Sequence, residues 1–497
     1  MTRHRWLARV DLEAASPLSI GNGEASVHTD VSLVRDAFGL PTLPGSALAG
    51  VLRRIVLRAE GETTAGRLFG RARGAAGDGR EASTVTPSWG AIHDCRGVPV
   101  DGPVERVDAA ALARDPILGP ALETAPMRRD HVRLDHRGVA ADRAKFDRAA
   151  LPRGHRFTMD VAILLAGPDD DADAIVRAAL RDPWLAIGGG ARRGYGRLRC
   201  VRLSELRLDL ARADDRATFA AWPGRLDAPL PEAVITTDFE NRDEGGVAIA
   251  LTPFDFWRIG GGKAPARATG ADKPPHLFPL TERAVVWDQA GRSGRIEETP
   301  RFVVPATAIK GALRHRTVFH YHLIKHREAL AGGAATSDHV VMREAPTLAQ
   351  MRPQAVDALF GYVHEPDERE AKDRGGEDPV AAIGRVLIDD VVIADDDIAT
   401  GVLWHNGIDR FTGGVLPGIL YGEELAWRGK LPVRLRLDDA RDVDAAARRA
   451  FVEALRDLVE GRLALGAGAN KGHGFMTGEA SHLEPLAGWV ETGEAVG

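Results

Sequence analysis

Four short motifs occur twice in this 497-residue chain, in the same order, and the last pair is the most distinctive: residues 188–199 read GGGARRGYGRLR and residues 466–475 read GAGANKGHGF. Upstream, PGSALAGVLR (44–53) pairs with PATAIKGALR (305–314), Leu68-Phe69-Gly70 with Leu359-Phe360-Gly361, and HVRLDHRG (131–138) with HNGIDRFTG (405–413). Each match is short, but an ordered set of them marks an internal duplication with insertions of unequal length. The chain is also too long for one ordinary core, so two similar units are expected.

Each half has the same coarse pattern. A first strand with alternating polarity (5–14; 245–254) precedes a long loop and a helix that Pro44 or Pro305 opens, with Ser46 or Thr307 expected as the cap. Further strands follow at 88–96, 156–167, 384–393 and 431–438, and a late helix (171–182; 444–461) leads into the glycine loop. The order β-α-β-β-α-β predicts an α+β chain of two tandem ferredoxin-like, RRM-like domains with insertions. A proline-rich stretch without a clear period sets the expected boundaries: domain 1–215, linker 216–235, domain 236–497.

Composition narrows the class. With 44% hydrophobic and 27% charged residues and no apolar run long enough for a bilayer, the chain reads as soluble, with no membrane partner. Its N-terminus lacks the apolar block of a secretory signal. Two cysteines, Cys95 and Cys200, exclude a disulfide framework or a cysteine zinc site and suit a reducing cytoplasm. The net charge of −6 speaks against a uniformly basic nucleic-acid binder, although acidic residues bunch in runs such as Asp169–Asp173 while basic ones gather beside glycines and at helix starts.

The glycine loops carry a phosphate-binding chemistry. They share glycines, a cation (Arg193, with Arg192 beside it; Lys471) and a ring between the last two glycines (Tyr195; His473). Glycines let backbone N–H groups approach an oxyanion, and a ring beside a cation suits a base beside a phosphodiester. A pair of tight turns closing a sheet is the plain alternative. A dinucleotide fingerprint is excluded because no helix starts after GAGANKG, and neither loop ends in the Gly-Lys-Ser/Thr of a P-loop. The helix starts at Ser46 and Thr307, with Arg53, Lys310 and Arg314 following, form a second candidate anion surface. His315, His320, His322 and His326 have no carboxylate or cysteine at ligand spacing and do not read as a metal site.

These motifs resemble the RAMP (repeat-associated mysterious protein) superfamily. PGSALAGVLR and PATAIKGALR are similar to its proline-initiated helix signature, HNGIDRFTGG to its IDR-x-TG signature, and the glycine loops to its terminal loop. The closest likeness is to backbone subunits of type III CRISPR effector complexes. That resemblance implies a tandem fusion binding CRISPR RNA and single-stranded target RNA among other effector subunits, with a hairpin (His131, Asp135; His405, Asp409, Arg410) that kinks the guide. It also implies target cleavage by an aspartate in the loop after the first strand. TDVSLVRD (29–36) supplies Asp30, with Arg35 and Asp36 in place but Val31 and Ser32 where the family has Asn and Pro.

A carboxylate there can deprotonate the RNA 2′-OH or hold a divalent cation, magnesium or manganese, that does so, and His28 is a candidate helper. In the second half, aligning Asp288 with Asp36 puts Glu282 where Asp30 stands, which weakens or silences that site. His131 and Asp135 do not read as a catalytic pair, being about 13 Å apart along a strand. A non-catalytic guide scaffold and a repeat-processing ribonuclease remain as alternatives.

Overall fold

The computed structural model describes residues 3–25, 29–71, 82–103, 107–135, 139–239, 246–262, 264, 266, 274–331, 353–364, 380–393 and 398–496. The first half is built from β1 (His4–Ala14), α1 (Gly45–Phe69), β2 (Val85–Pro87), β3 (Ala91–Ile92), the hairpin β4 (Met127–Leu134) and β5 (Ala140–Ala150), then β6 (Arg156–Leu165), α2 (Ala172–Leu180) and β7 (Leu198–Asp209). Its antiparallel sheet runs β2-β6-β1-β7 with one further strand, β8 (Ile235–Asp238), beside β7. In β1, Val10 faces Met159 on one side and Leu203 on the other.

The second half repeats this order. Strand β9 (Val247–Pro253) is followed by a loop region holding β10 (Thr281–Glu282), β11 (Val285–Trp287), β12 (Gly294–Ile296) and β13 (Arg301–Val304). Then come α3 (Ala306–Ala331), β14 (Val386–Ile388), the hairpin β15 (Ala399–Ile408) and β16 (Val415–Trp427), β17 (Leu431–Leu437), α4 (Ala445–Val459) and β18 (Met476–Thr477). The sheet order β14-β17-β9-β18 matches β2-β6-β1-β7, so both halves are ferredoxin-like, each with a hairpin inserted between the second and third core strands.

Three expectations need correction. The helices begin at Gly45 and Ala306, not after Ser46 and Thr307: the carbonyls of Pro44 and Pro305 accept the first helical bonds, and no side chain caps α1. Asp173 is not a solvated loop residue but is buried between Arg177 and Arg207. The segment expected as a linker packs on the first sheet. Arg9, 6% exposed, donates to the carbonyls of Pro223, Leu226 and Ala228, and Trp222 and Val234 cover Leu7, Leu206 and Leu208. That cover explains why β1 is buried on both faces where simple alternation predicts one wet face.

The two hydrophobic cores share no residue: one runs from Trp6 to Leu203 and the other from Val247 to Trp489. Within the first half, burial pushes the imidazoles of His93 and His155 down to about 4. A histidine whose folded pKa lies below its ordinary 6.5 gives stability that is complete above that value and is lost as pH falls toward 4, because the unfolded chain takes up the proton first. Urea unfolding should therefore show a midpoint that drops between pH 6.5 and 4, and His93→Gln should remove part of that slope.

Candidate nucleic-acid interface

The two glycine loops are superimposable in their hydrogen bonds. Arg193 N donates to Gly190 O at 2.7 Å and Lys471 N to Gly468 O at 2.8 Å; Ile187 N and Leu465 N each donate across the loop to Gly196 O and Gly474 O at 2.9 Å. Each loop is also pinned to the chain leaving the first strand, through Gly189 N to Ser19 O and Ala467 N to Arg258 O. The glycines at 188, 190, 194 and 196 and at 466, 468, 472 and 474 all have positive φ. A Cβ at Gly196 would stand 1.9 Å from Ile187 O, and one at Gly474 2.2 Å from Leu465 O. Here the plain reading of a sheet-closing turn is part of the truth.

The hairpins fold onto these loops, joining motifs that lie far apart in sequence. His131 stacks on Phe146 at 4.9 Å and shares a 2.8 Å hydrogen bond with the Tyr195 hydroxyl; His405 stacks on Tyr421 at 5.0 Å and pairs with Glu423 at 2.6 Å. Burial, then Arg129, Arg193 and Arg148, push His131 down to about 4, which leaves it neutral at pH 7. Tyr195 (2% exposed) and His473 (7%) are packed beneath their loops, against Gly190 and Gly468. As placed, neither ring can stack on a base. Asp135 and Asp409 accept backbone N–H groups that shape the hairpin turns, from Val139 and from Phe411 and Thr412. At the second tip, exposed Arg410 lies over Phe411, which is 84% exposed.

The remaining cations divide between surface and seam. Ser46 and Arg193 are exposed, and Thr307 is half-buried. Arg53 pairs with Glu62 at 2.7 Å, Arg314 with Asp357, and Lys471 with Glu423 at 3.1 Å. Arg192 and Lys310 lie between the halves. Arg192 pairs with Asp438 at 2.6 Å and donates to Gly384 O; Lys310 Nζ donates to the carbonyls of Arg192 (3.2 Å) and Val386 (2.7 Å). Burial and the nearby Arg193, Arg192 and Arg314 push Lys310 down to about 7. The first loop thus docks on the second helix start, and Gly194 is required there: a Cβ would stand 2.1 Å from Asp390 Oδ1, whereas its counterpart Gly472 has nothing within 4 Å.

The loop carboxylates also diverge. Arg129 holds Glu282 through two bonds of 2.6 and 2.7 Å and Asp390 at 2.7 Å, all three side chains being less than 10% exposed. Burial raises Asp390 to about 6 against the pull of Arg129. Beyond Glu282 the loop forms the β11–β12 hairpin, which clasps the first half: Val285 N donates to Arg153 O, Gly294 N to Cys95 O, and Trp287 Nε1 to Gly154 O. Asp30, by contrast, is exposed. Its N–H donates to Asp147 Oδ1 at 2.9 Å and its Oδ2 accepts from Asp147 N at 2.8 Å. His28 lies outside the described residues. Sequence reasoning missed Arg129, Asp147, Arg148, Asp390 and Glu423; of these Asp147, Arg148 and Glu423 sit on the returning strands of the hairpins, which share no motif.

Two ferredoxin-like units, each with a hairpin seated on a glycine loop, define a duplicated α+β fold. A sequence model of the RAMP superfamily matches residues 11–199 and 290–477, once in each half, and the chain belongs to that superfamily. No curated protein matches it. Among solved structures it is similar to a chain in the cryo-EM structure of the type III-B Cmr-beta bound to cognate target RNA, at 11% identity and a TM-score of 0.28, over 41% of this chain. It spans 61% of the length of that neighbour. No helix among the described residues is long and apolar enough to cross a membrane.

Arg129→Ala should strand two buried carboxylates and lower stability by about 3–5 kcal/mol in urea unfolding. Gly472→Ala should cost only about 1–2 kcal/mol for its left-handed backbone, and Gly194→Ala more, because Asp390 must also move.

Proposed function

We propose that this chain is a subunit of a type III CRISPR effector complex that grips CRISPR RNA and cuts complementary target RNA at Asp30, once per chain. Its place in the RAMP superfamily and the paired hairpin-and-loop junctions support the RNA-binding part. The contrast between the loop carboxylates carries the cutting part. Asp30 is exposed, and among the described residues its Oδ1 has no partner; the Glu282 side chain is 8% exposed with both oxygens on Arg129. In the proposed step the Asp30 carboxylate takes the proton of a target 2′-OH. The freed oxygen bonds to the adjacent phosphorus, and the bond from phosphorus to the 5′ oxygen breaks. That oxygen takes a proton from water, leaving a 2′,3′-cyclic phosphate and a 5′-hydroxyl.

The implied magnesium or manganese ion finds few donors here. Asp147 gives one oxygen to the Asp30 N–H and the other to Arg128 at 2.6 Å, and no group of three or more His, Cys, Asp or Glu among the described residues is placed to hold an ion. Among the described residues this donor set does not fit a resident metal, and the proposed step uses the carboxylate itself. A scaffold role is the second reading, favoured by the reciprocal bonds that tie Asp30 to the hairpin.

Asp30→Asn in the assembled complex, with an end-labelled target RNA, separates the two readings. The expected result is loss of the cut assigned to this chain with target binding retained; persistence of every cut leaves the scaffold. Glu282→Gln should leave the cut pattern unchanged.

A further inference from the structure

We propose that Arg148 and Arg193 form a phosphodiester-binding site at the first hairpin–loop junction, and that Glu423 quenches the equivalent site in the second half. The proposal rests on the RNA-binding reading above and names where, and in which half, the backbone is held.

The equivalence is fixed by the ladders. His131 lies opposite Phe146, and His405 opposite Tyr421. Two residues further along the returning strand, on the same face, come Arg148 in the first half and Glu423 in the second. Each faces the chain leaving the first strand at the residue that accepts from the loop, Ser19 or Arg258. The charges at these matched places are reversed. In the second half Glu423, 1% exposed, meets Lys471 at 3.1 Å, Arg258 at 3.2 Å and His405 at 2.6 Å, so the loop cation is already satisfied.

In the first half the only hydrogen bond of the Arg148 side chain among the described residues is the one it donates to the Ser19 hydroxyl, at 3.3 Å. It is half-buried, with Tyr195 at 5.8 Å, and Arg193 is the nearby charge. Across the ladder it faces another cation, Arg129, which Glu282 and Asp390 satisfy. Neither Asp130 nor Asp147 of the hairpin reaches it. Asp130 and Asp147 lie on the opposite face, paired with Arg128 and, for Asp130, Lys145 at 3.9 Å. Two guanidiniums with no carboxylate partner among the described residues, next to a neutral His131, make a place that an oxyanion completes, and planar forks suit phosphate oxygens.

The test uses the full chain and a fluorescein-labelled single-stranded RNA, with anisotropy read across a salt series and thermal unfolding checked for each variant. Arg148→Gln should weaken binding and flatten the plot of log affinity against log salt by about 0.7, the value for one lost phosphate on a single strand; Arg148→Lys should restore much of the slope. Glu423→Gln should do the reverse, strengthening binding and steepening the plot, and this arm stands on its own if Arg148→Gln misfolds. Binding by the wild type with an unchanged slope in both Gln variants overturns the proposal and leaves the RNA reading intact. No binding by the wild type overturns both.

Discussion

Arg129 is the residue on which the arrangement of the two halves turns. It lies between two carboxylates from the other half whose side chains are less than 10% exposed; its fork holds Glu282 in two hydrogen bonds, and Asp390 lies 2.7 Å from the third nitrogen. Charges taken from water this completely hold only where partners are aligned, so the contact tolerates little sliding. The same Asp390 accepts the first N–H of the helix at Ala306 and abuts Gly194. One polar knot thereby ties a hairpin, a glycine loop and a helix start together, and the cores need share nothing.

That knot makes the duplication asymmetric. A seam joining two copies of one fold head to tail uses different faces on each, so matched residues acquire unmatched surroundings. Gly194 is packed and Gly472 open; the second half's loop carboxylate is buried and the first half's exposed. The loop around 284–297 is the clasp that grips the first half. Divergence at Glu282 then has a physical reason. A longer carboxylate reaching a neighbour's arginine serves the seam, and the proposed cutting role passes to the half whose loop is left out of it.

The fold was legible because its signals are local. Alternation, helix starts and glycines with forced backbone angles act over a few residues, and their recurrence revealed the repeat. What stayed hidden was pairwise and long-range. Nothing near Glu282 in sequence announces Arg129, which lies in the other half, and nothing near Tyr195 says that its ring packs under its own loop. The assignment of Tyr195 and His473 as base-stacking rings, and of Lys310 as a surface cation, took composition for exposure; 2% exposure for Tyr195, 7% for His473 and 6% for Lys310 correct it. That the expected linker segment packs on the first sheet stayed hidden for a similar reason. Its prolines and lack of period were visible, but the guanidinium of Arg9, which binds Asp160 and also donates to three of the segment's carbonyls, was not.

Charge reversal at one strand position gives the clearest case of a signal that is readable only after folding. Arg148 and Glu423 align in no motif, because the returning strands of the two hairpins have diverged beyond recognition; the ladder opposite the two histidines puts them in register. Once they are paired, that one strand position differs by two units of charge between junctions that share the same histidine stack and loop hydrogen bonds. A cation beside a buried carboxylate has little left for a phosphate, since any new anion must compete with a partner already held at low dielectric. The same loop beside a second arginine has the opposite bias. Two copies of one scaffold can therefore keep one geometry and differ in how strongly they attract an anion.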